Sequence, residues 1–206
     1  MNVVAFDVDG TLVKEKSSWL TVHRYFGTLN DACKNLILYN NHQIDYPTFM
    51  RKDIELWGKP IDGKKIHQIL DGFTLHSKAR YVIQKLKSRG FTILLISAGI
   101  DILVEKVASD LKINHYVSNG LATDEKGYLT GEGVFRVDLW RKDKALKNIL
   151  EYINLEPKDC IAVGDSKYDT EFLKQSGVGV ALGNNVELKK YAKYSINDLP
   201  EILSII

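Results

Sequence analysis

Four apolar, β-favouring residues, Val3-Val4-Ala5-Phe6, run without a polar break and then give way abruptly to Asp7-Val8-Asp9-Gly10-Thr11. A run with no alternation predicts a strand covered on both faces, as in a parallel sheet, with both acids at its carboxyl end. The pattern then turns helical. Ser17 or Ser18 is placed to cap a helix through Trp19, Leu20, Val22, His23 and Phe26, with Gly27 as its stop. A second helix is predicted over 29–39. A third runs over 46–57, with Asp45 as cap, Pro47 in the first turn and Gly58-Lys59-Pro60 as terminator, and a short fourth spans 65–70.

From Ser77 the pattern becomes a βα alternation. A helix to Arg89 precedes a strand over 91–96 that ends in Ser97-Ala98-Gly99, and Asp101 is read as the cap of the helix that follows, to residue 112. A short strand over 115–117 leads to a hairpin over 121–134 that turns at Asp124-Glu125-Lys126-Gly127. A helix follows Asp143. The strand 160–163 ends in Gly164-Asp165, after which Ser166 and Asp169 form a capping box; the strand 178–182 and two short helices close the chain. This order predicts an α/β fold with a doubly wound, mainly parallel sheet. Residues 1–13 plus 76–206 form its core domain, 14–75 form a small helical cap domain inserted after the first strand, and the hairpin forms a flap.

Composition narrows the function classes. The chain has 206 residues and a net charge of +2, so nothing points to a nucleic-acid partner. No apolar stretch approaches bilayer length and the first run is too short for a signal peptide, which predicts a cytoplasmic protein with no membrane partner. Cys33 and Cys160 are read as reduced, buried thiols. His23, His42, His67 and His76 have no metal-ligand spacing.

Alternate residues of a strand share a face, so Asp7 and Asp9 project together into the edge where open α/β sheets hold ligands, and Gly10 permits the sharp turn after them. Successive strand ends then offer Asp7, Asp9 and Thr11, next Ser97, then Lys144 nearby, and finally Asp165 and Asp169. This order resembles the haloacid dehalogenase superfamily, whose motifs are Asp-x-Asp-x-Thr, a strand-terminal Ser or Thr, a Lys, and Gly-Asp-x-x-x-Asp. Within it the resemblance is to phosphoserine phosphatases and covers nearly the whole chain, including the helical insertion and the hairpin ending Gly127-Tyr128-Leu129-Thr130-Gly131.

The resemblance implies a Rossmann-like core and a Mg²⁺-dependent phosphomonoesterase acting on a small phosphorylated metabolite. Asp7 is the implied nucleophile and Asp9 the acid and base. Thr11, Ser97, Ala98 and Gly99 surround the phosphoryl group, and Lys144 adds a positive charge, with Lys142 competing for that role. Asp7, Asp9, Asp165, Asp169 and the backbone carbonyl of Val8 are the implied oxygen ligands of the cation. A dication is wanted because a carboxylate must approach a dianionic phosphate. Hydrolysis and transfer to a second alcohol share these residues, as does a non-enzymatic phospho-receiver module, which lacks a helical cap.

The specificity positions depart from the resemblance. The family's substrate-binding Glu and cap Arg fall on Lys16 and Asp53, with Glu15 and Arg51 close by but out of register, and Ser97-Ala98-Gly99 stands for the usual Ser-Gly-Gly. Phosphoserine is therefore expected to be a poor substrate. The expected tail is anionic or hydroxylated near Lys16, without an amine beside the phosphate, between Trp19 and Trp57 as apolar walls.

Overall fold

The computed structural model describes residues 2–206. Seven strands form one sheet: β1 (Val3–Phe6), β2 (Thr92–Ile100), β3 (His115–Thr123), β4 (Leu129–Val134), β5 (Cys160–Gly164), β6 (Val178–Leu182) and β7 (Tyr194–Ile196). Their order is β4-β3-β2-β1-β5-β6-β7, parallel throughout except for the antiparallel β3–β4 pair. Every residue of β1 is buried, which is why its sequence lacks alternation. Its centrality sets the site, because β2 and β5 lie on either side, and the pairing of Phe6 with Leu95 and with Val163 brings Ser97 and Gly164-Asp165 next to Asp7.

Four helices lie between β1 and the rest of the sheet: α1 (Ser18–Phe26), α2 (Leu29–Asn40), α3 (Tyr46–Leu56) and α4 (Gly63–Leu70). Ser17 accepts from the Leu20 amide and Asp45 from the Thr48 amide, and Gly27 closes α1 in the left-handed conformation. The segment enters and leaves at one point: Val13 bridges Leu75, the Lys14 amide donates to Thr74 O and the His76 amide to Leu12 O. The remaining helices are α5 (Ala79–Ser88), α6 (Asp101–Leu111), α7 (Lys142–Glu151), α8 (Thr170–Gln175) and α9 (Val186–Lys189).

Five local expectations need correction. β2 does not stop at Ser97 but continues to Ile100 through a register shift against β3. Asp101 is not the cap of α6: Ile100 holds that position with no side-chain bond, and Asp101 pairs with Arg136 at 3.2 Å. The short strand and the first hairpin arm are one nine-residue strand, β3, and the second short closing helix is preceded by the edge strand β7. Cys160 is buried but Cys33 is exposed on α2. Among the described residues no helix is long and apolar enough to cross a membrane.

Candidate active site

The floor of the site is built where β1 ends. The Val8 carbonyl accepts from the amides of Thr11, Leu12 and Val13, which folds the chain back at once and leaves this oxygen saturated. It has no lone pair left for a cation, so Val8 does not serve as the carbonyl ligand expected of it. Gly10 sits in this turn at φ +82°, and a Cβ there would lie 2.6 Å from Asp165 Oδ2; the turn and the close approach both require glycine.

The cation beside Asp7 is Lys142, not Lys144. Lys142 is the first residue of α7 and is buried, and its Nζ donates to Asp7 Oδ1 at 2.7 Å and to Asp169 Oδ1 at 2.6 Å. Lys144 is exposed two residues further round the helix. Asp169 is fixed from its other oxygen, which accepts from the Ser166 amide and hydroxyl, both at 2.9 Å, and from the Asp165 amide at 3.2 Å. Thr11 Oγ1 lies 3.2 Å from Asp165 Oδ1 and 3.4 Å from Asp7 Oδ2.

Asp7, Asp165 and Asp169 each offer a ligand atom within 4.8 Å of the others. Against these three carboxylates stand two ammonium groups, Lys142 and Lys16, the latter donating to Asp165 Oδ2 at 2.5 Å. The cluster is therefore short of positive charge. Burial pushes the Asp7 carboxyl well up, and Asp169 and Asp165 add to this against the opposing pull of Lys142. Burial would lower the Lys142 ammonium, but Asp169 and Asp7 outweigh it and hold the group above its ordinary range. Oxygen donors, an excess of negative charge and carboxylates that resist joint ionisation suit a hard divalent cation.

Asp9 stands apart from this cluster. Its Oδ2 accepts from the Ser18 hydroxyl at 2.8 Å and the Ser18 amide at 3.1 Å, while its buried Oδ1 has no partner. Burial raises its carboxyl to about 6, against the lowering effect of the Ser18 bonds. A proton on the free oxygen is thus accessible near neutral pH.

The β2 end completes the floor. Ser97 is buried and its hydroxyl accepts from the Gly99 amide at 3.0 Å. A Cβ at Gly99 would lie 2.7 Å from Ser18 Oγ and closer still to Asp9 Oδ2, so glycine is required there by contact. The Ala98 carbonyl accepts from Trp19 Nε1 (3.1 Å), the Tyr46 hydroxyl (3.0 Å) and Asn119 Nδ2 (3.1 Å).

Residues 4–174 match the profile of haloacid dehalogenase-like hydrolases. The chain belongs to that family. This haloacid dehalogenase-like hydrolase is 30% identical over 212 residues to the phosphoserine phosphatase of Methanocaldococcus jannaschii, covering 99% of this chain and 97% of that one. It is 29% identical to the Lactococcus lactis phosphoserine phosphatase over 95% of this chain and 89% of its relative. Among solved structures, a phospho-aspartyl intermediate analogue of phosphoserine phosphatase superposes with a TM-score of 0.83 at 27% identity, over 100% of this chain and 98% of that one. A substrate-bound phosphoserine phosphatase complex gives 0.83 at 26% identity, with the same coverage.

One cavity of about 220 Å³ joins this floor to the helical segment. Asp7, Asp9, Ser97, Ala98, Gly99, Lys142 and Asp165 border it from the strand ends, and Trp19, Tyr46, Phe49 and Asp53 from the helices. Of the residues expected to read the substrate tail, Lys16 and Asp53 both line the cavity, but the Lys16 ammonium is engaged by Asp165. Arg51 is exposed on α3 and outside the cavity, and Glu15 accepts from the Thr74 amide instead. Trp19 is a wall; Trp57 lies behind it, with ring centroids 5.7 Å apart. Ser18, which fixes Asp9, gave no signal in the sequence beyond its candidacy as a helix cap.

Proposed function

We propose that this chain is a magnesium-dependent phosphomonoesterase that works through an aspartyl phosphate on Asp7. The observation that carries this reading is the pairing of Asp7 with Lys142 inside a three-carboxylate cluster, beside a separate carboxyl, Asp9, with one free oxygen. Asp7, Asp165 and Asp169 would hold the cation. When bound, it supplies positive charge that offsets the repulsion between a carboxylate and a dianionic ester.

Asp7 attacks phosphorus, forming a new O–P bond as the ester P–O bond breaks. Lys142 opposes the upward pull of burial on the Asp7 carboxyl and places positive charge beside the incoming phosphoryl group, and Ser97 borders the same space. Asp9 gives its proton to the departing alkoxide. It then takes a proton from water, whose oxygen attacks phosphorus, releases inorganic phosphate and restores the Asp7 carboxylate. A positioned acid and base of this kind is worth about 10²–10⁴-fold in rate. The four helices of residues 14–75 act as a cap that excludes water from the closed site.

A receiver-like reading has less support, because Asp9 stands ready to promote hydrolysis of the acyl phosphate and the helical segment roofs the site. The test is hydrolysis of 4-nitrophenyl phosphate by purified protein with Mg²⁺, followed by rapid-quench mass spectrometry. The expected result is turnover abolished by chelator and restored by Mg²⁺, with the phosphoryl group on Asp7. Full activity in excess chelator, or a phosphoryl group on another residue, overturns the reading.

A further inference from the structure

One carboxylate in the helical wall has no cation to match it. Asp53, on α3, is 2% exposed yet borders the cavity. Its Oδ1 accepts from Asn35 Nδ2 at 2.8 Å, and its Oδ2 lies 3.2 Å from His23 Nε2. The histidine does not neutralise it. An indole N–H only donates, and Trp57 Nε1 points at His23 Nδ1 from 3.1 Å, with Thr28 Oγ1 at 2.8 Å from the same nitrogen. Nδ1 must therefore accept, which leaves the single ring proton on Nε2 and the imidazole uncharged. Both cations that line the cavity, Lys16 and Lys142, are bound to carboxylates of the floor.

We propose that Asp53 reads the substrate's tail, so that the cavity takes phosphate monoesters whose tail ends in a cationic amine and carries no carboxylate. This deepens the phosphatase reading above and rests on it. A buried carboxylate with only neutral partners is electrostatically uncompensated, so a cation gains more there than a neutral hydroxyl, and a second carboxylate is repelled. Trp19, Tyr46 and Phe49 border the same space, and aromatic rings are groups that attract an alkylammonium. The cavity is below the volume usual for drug-sized ligands, which suits a tail of a few heavy atoms. An anionic tail beside Lys16, whose ammonium here donates to Asp165, is the competing outcome of the same comparison.

The test compares kcat/KM, with Mg²⁺, for 2-aminoethyl phosphate, glycerol phosphate, both enantiomers of phosphoserine and 4-nitrophenyl phosphate. The expected result is a preference for the aminoethyl ester of about 10–100-fold over the glycerol ester and over phosphoserine of either hand. In Asp53→Asn that preference, taken as a ratio within one protein sample so that partial misfolding cancels, should narrow about tenfold. An equal or higher value for glycerol phosphate or either phosphoserine overturns the proposal, as does a ratio unchanged in Asp53→Asn. Hydrolysis of 4-nitrophenyl phosphate separates the two failures: if it proceeds, only the tail assignment falls, and if no ester is cleaved, the phosphatase reading falls and takes the tail assignment with it.

Discussion

The floor and the helical wall of the cavity are built on opposite plans. At the strand ends, charges are crowded and mutually held: Asp7, Asp165 and Asp169 share Lys142 and Lys16, and almost every oxygen has a named partner. Along the helices the lining is aromatic and apolar, and charge is confined to Asp53. A crowded ionic floor is indifferent to what hangs from the phosphate. A sparse wall with one uncompensated carboxylate is not. The proposed function thus assigns chemistry and choice of substrate to different parts of the chain, and substitutions in the two parts should differ in kind.

The largest separation comes from Asp7→Asn, which should lower kcat for every ester alike by about 10⁴-fold or more, as loss of a covalent nucleophile does. A loss confined to one substrate would erase the division between floor and wall. Lys142→Ala should follow. It leaves Asp7 and Asp169 buried without their cation, at a cost of about 3–5 kcal/mol in unfolding free energy. Lys144→Ala, on the exposed face of the same helix, should stay within about 0.5 kcal/mol and within a few-fold in kcat. Denaturant titrations and steady-state rates on the two variants settle which lysine belongs to the floor.

Asp9 gives a pH test. Its ordinary value near 3.8 is raised to about 6 in the fold. The folded state thus binds this proton more tightly than the unfolded state, so stability from this group is fullest below 3.8 and is lost as pH rises through 6. In metal-free protein, Asp9→Asn should raise the unfolding free energy by about 3 kcal/mol at pH 7.5, with the gain gone by pH 3.5. A variant that is less stable than the parent at pH 7.5 would show that the Ser18 bonds dominate. The smallest effects belong to the wall: Trp19→Phe and Tyr46→Phe each remove one donor to the Ala98 carbonyl, at about 0.5–1.5 kcal/mol. They should appear as faster amide exchange in α1 and α3 and as a higher KM, with kcat little changed.

The acids of the floor were legible in the sequence because they depend on strand ends, and an unbroken apolar run states where a strand ends. The same signal located Asp165, and it found Ser97 although β2 runs on to Ile100. The lysine was not legible, since it depends on where a helix begins. Starting α7 after Asp143 puts Lys144 in the first turn, whereas the helix starts at Lys142, and two residues rotate a side chain by about 200°. The role of Val8 failed for a related reason: that its carbonyl would be consumed by three amides is a property of the turn, not of the residue types. In the wall, counting along the chain placed Asp53 at the cavity, but its neutral partners come from α1 and α2, the indole that fixes the histidine's tautomer comes from the end of α3, and no single stretch of sequence brings them together.

The Ala98 carbonyl has a kinetic consequence. Two of its three donors, Trp19 and Tyr46, ride on the helical segment, while Asn119 belongs to β3 and also holds the Val137 carbonyl. If the helices lift, both mobile donors leave one atom together and find water. The carbonyl left behind keeps the Asn119 bond, so no buried acceptor is orphaned in the open form. Entry to the cavity would then behave as a single all-or-none event with a low resting cost, and the dwell time of inorganic phosphate would be set by how often two bonds break at once.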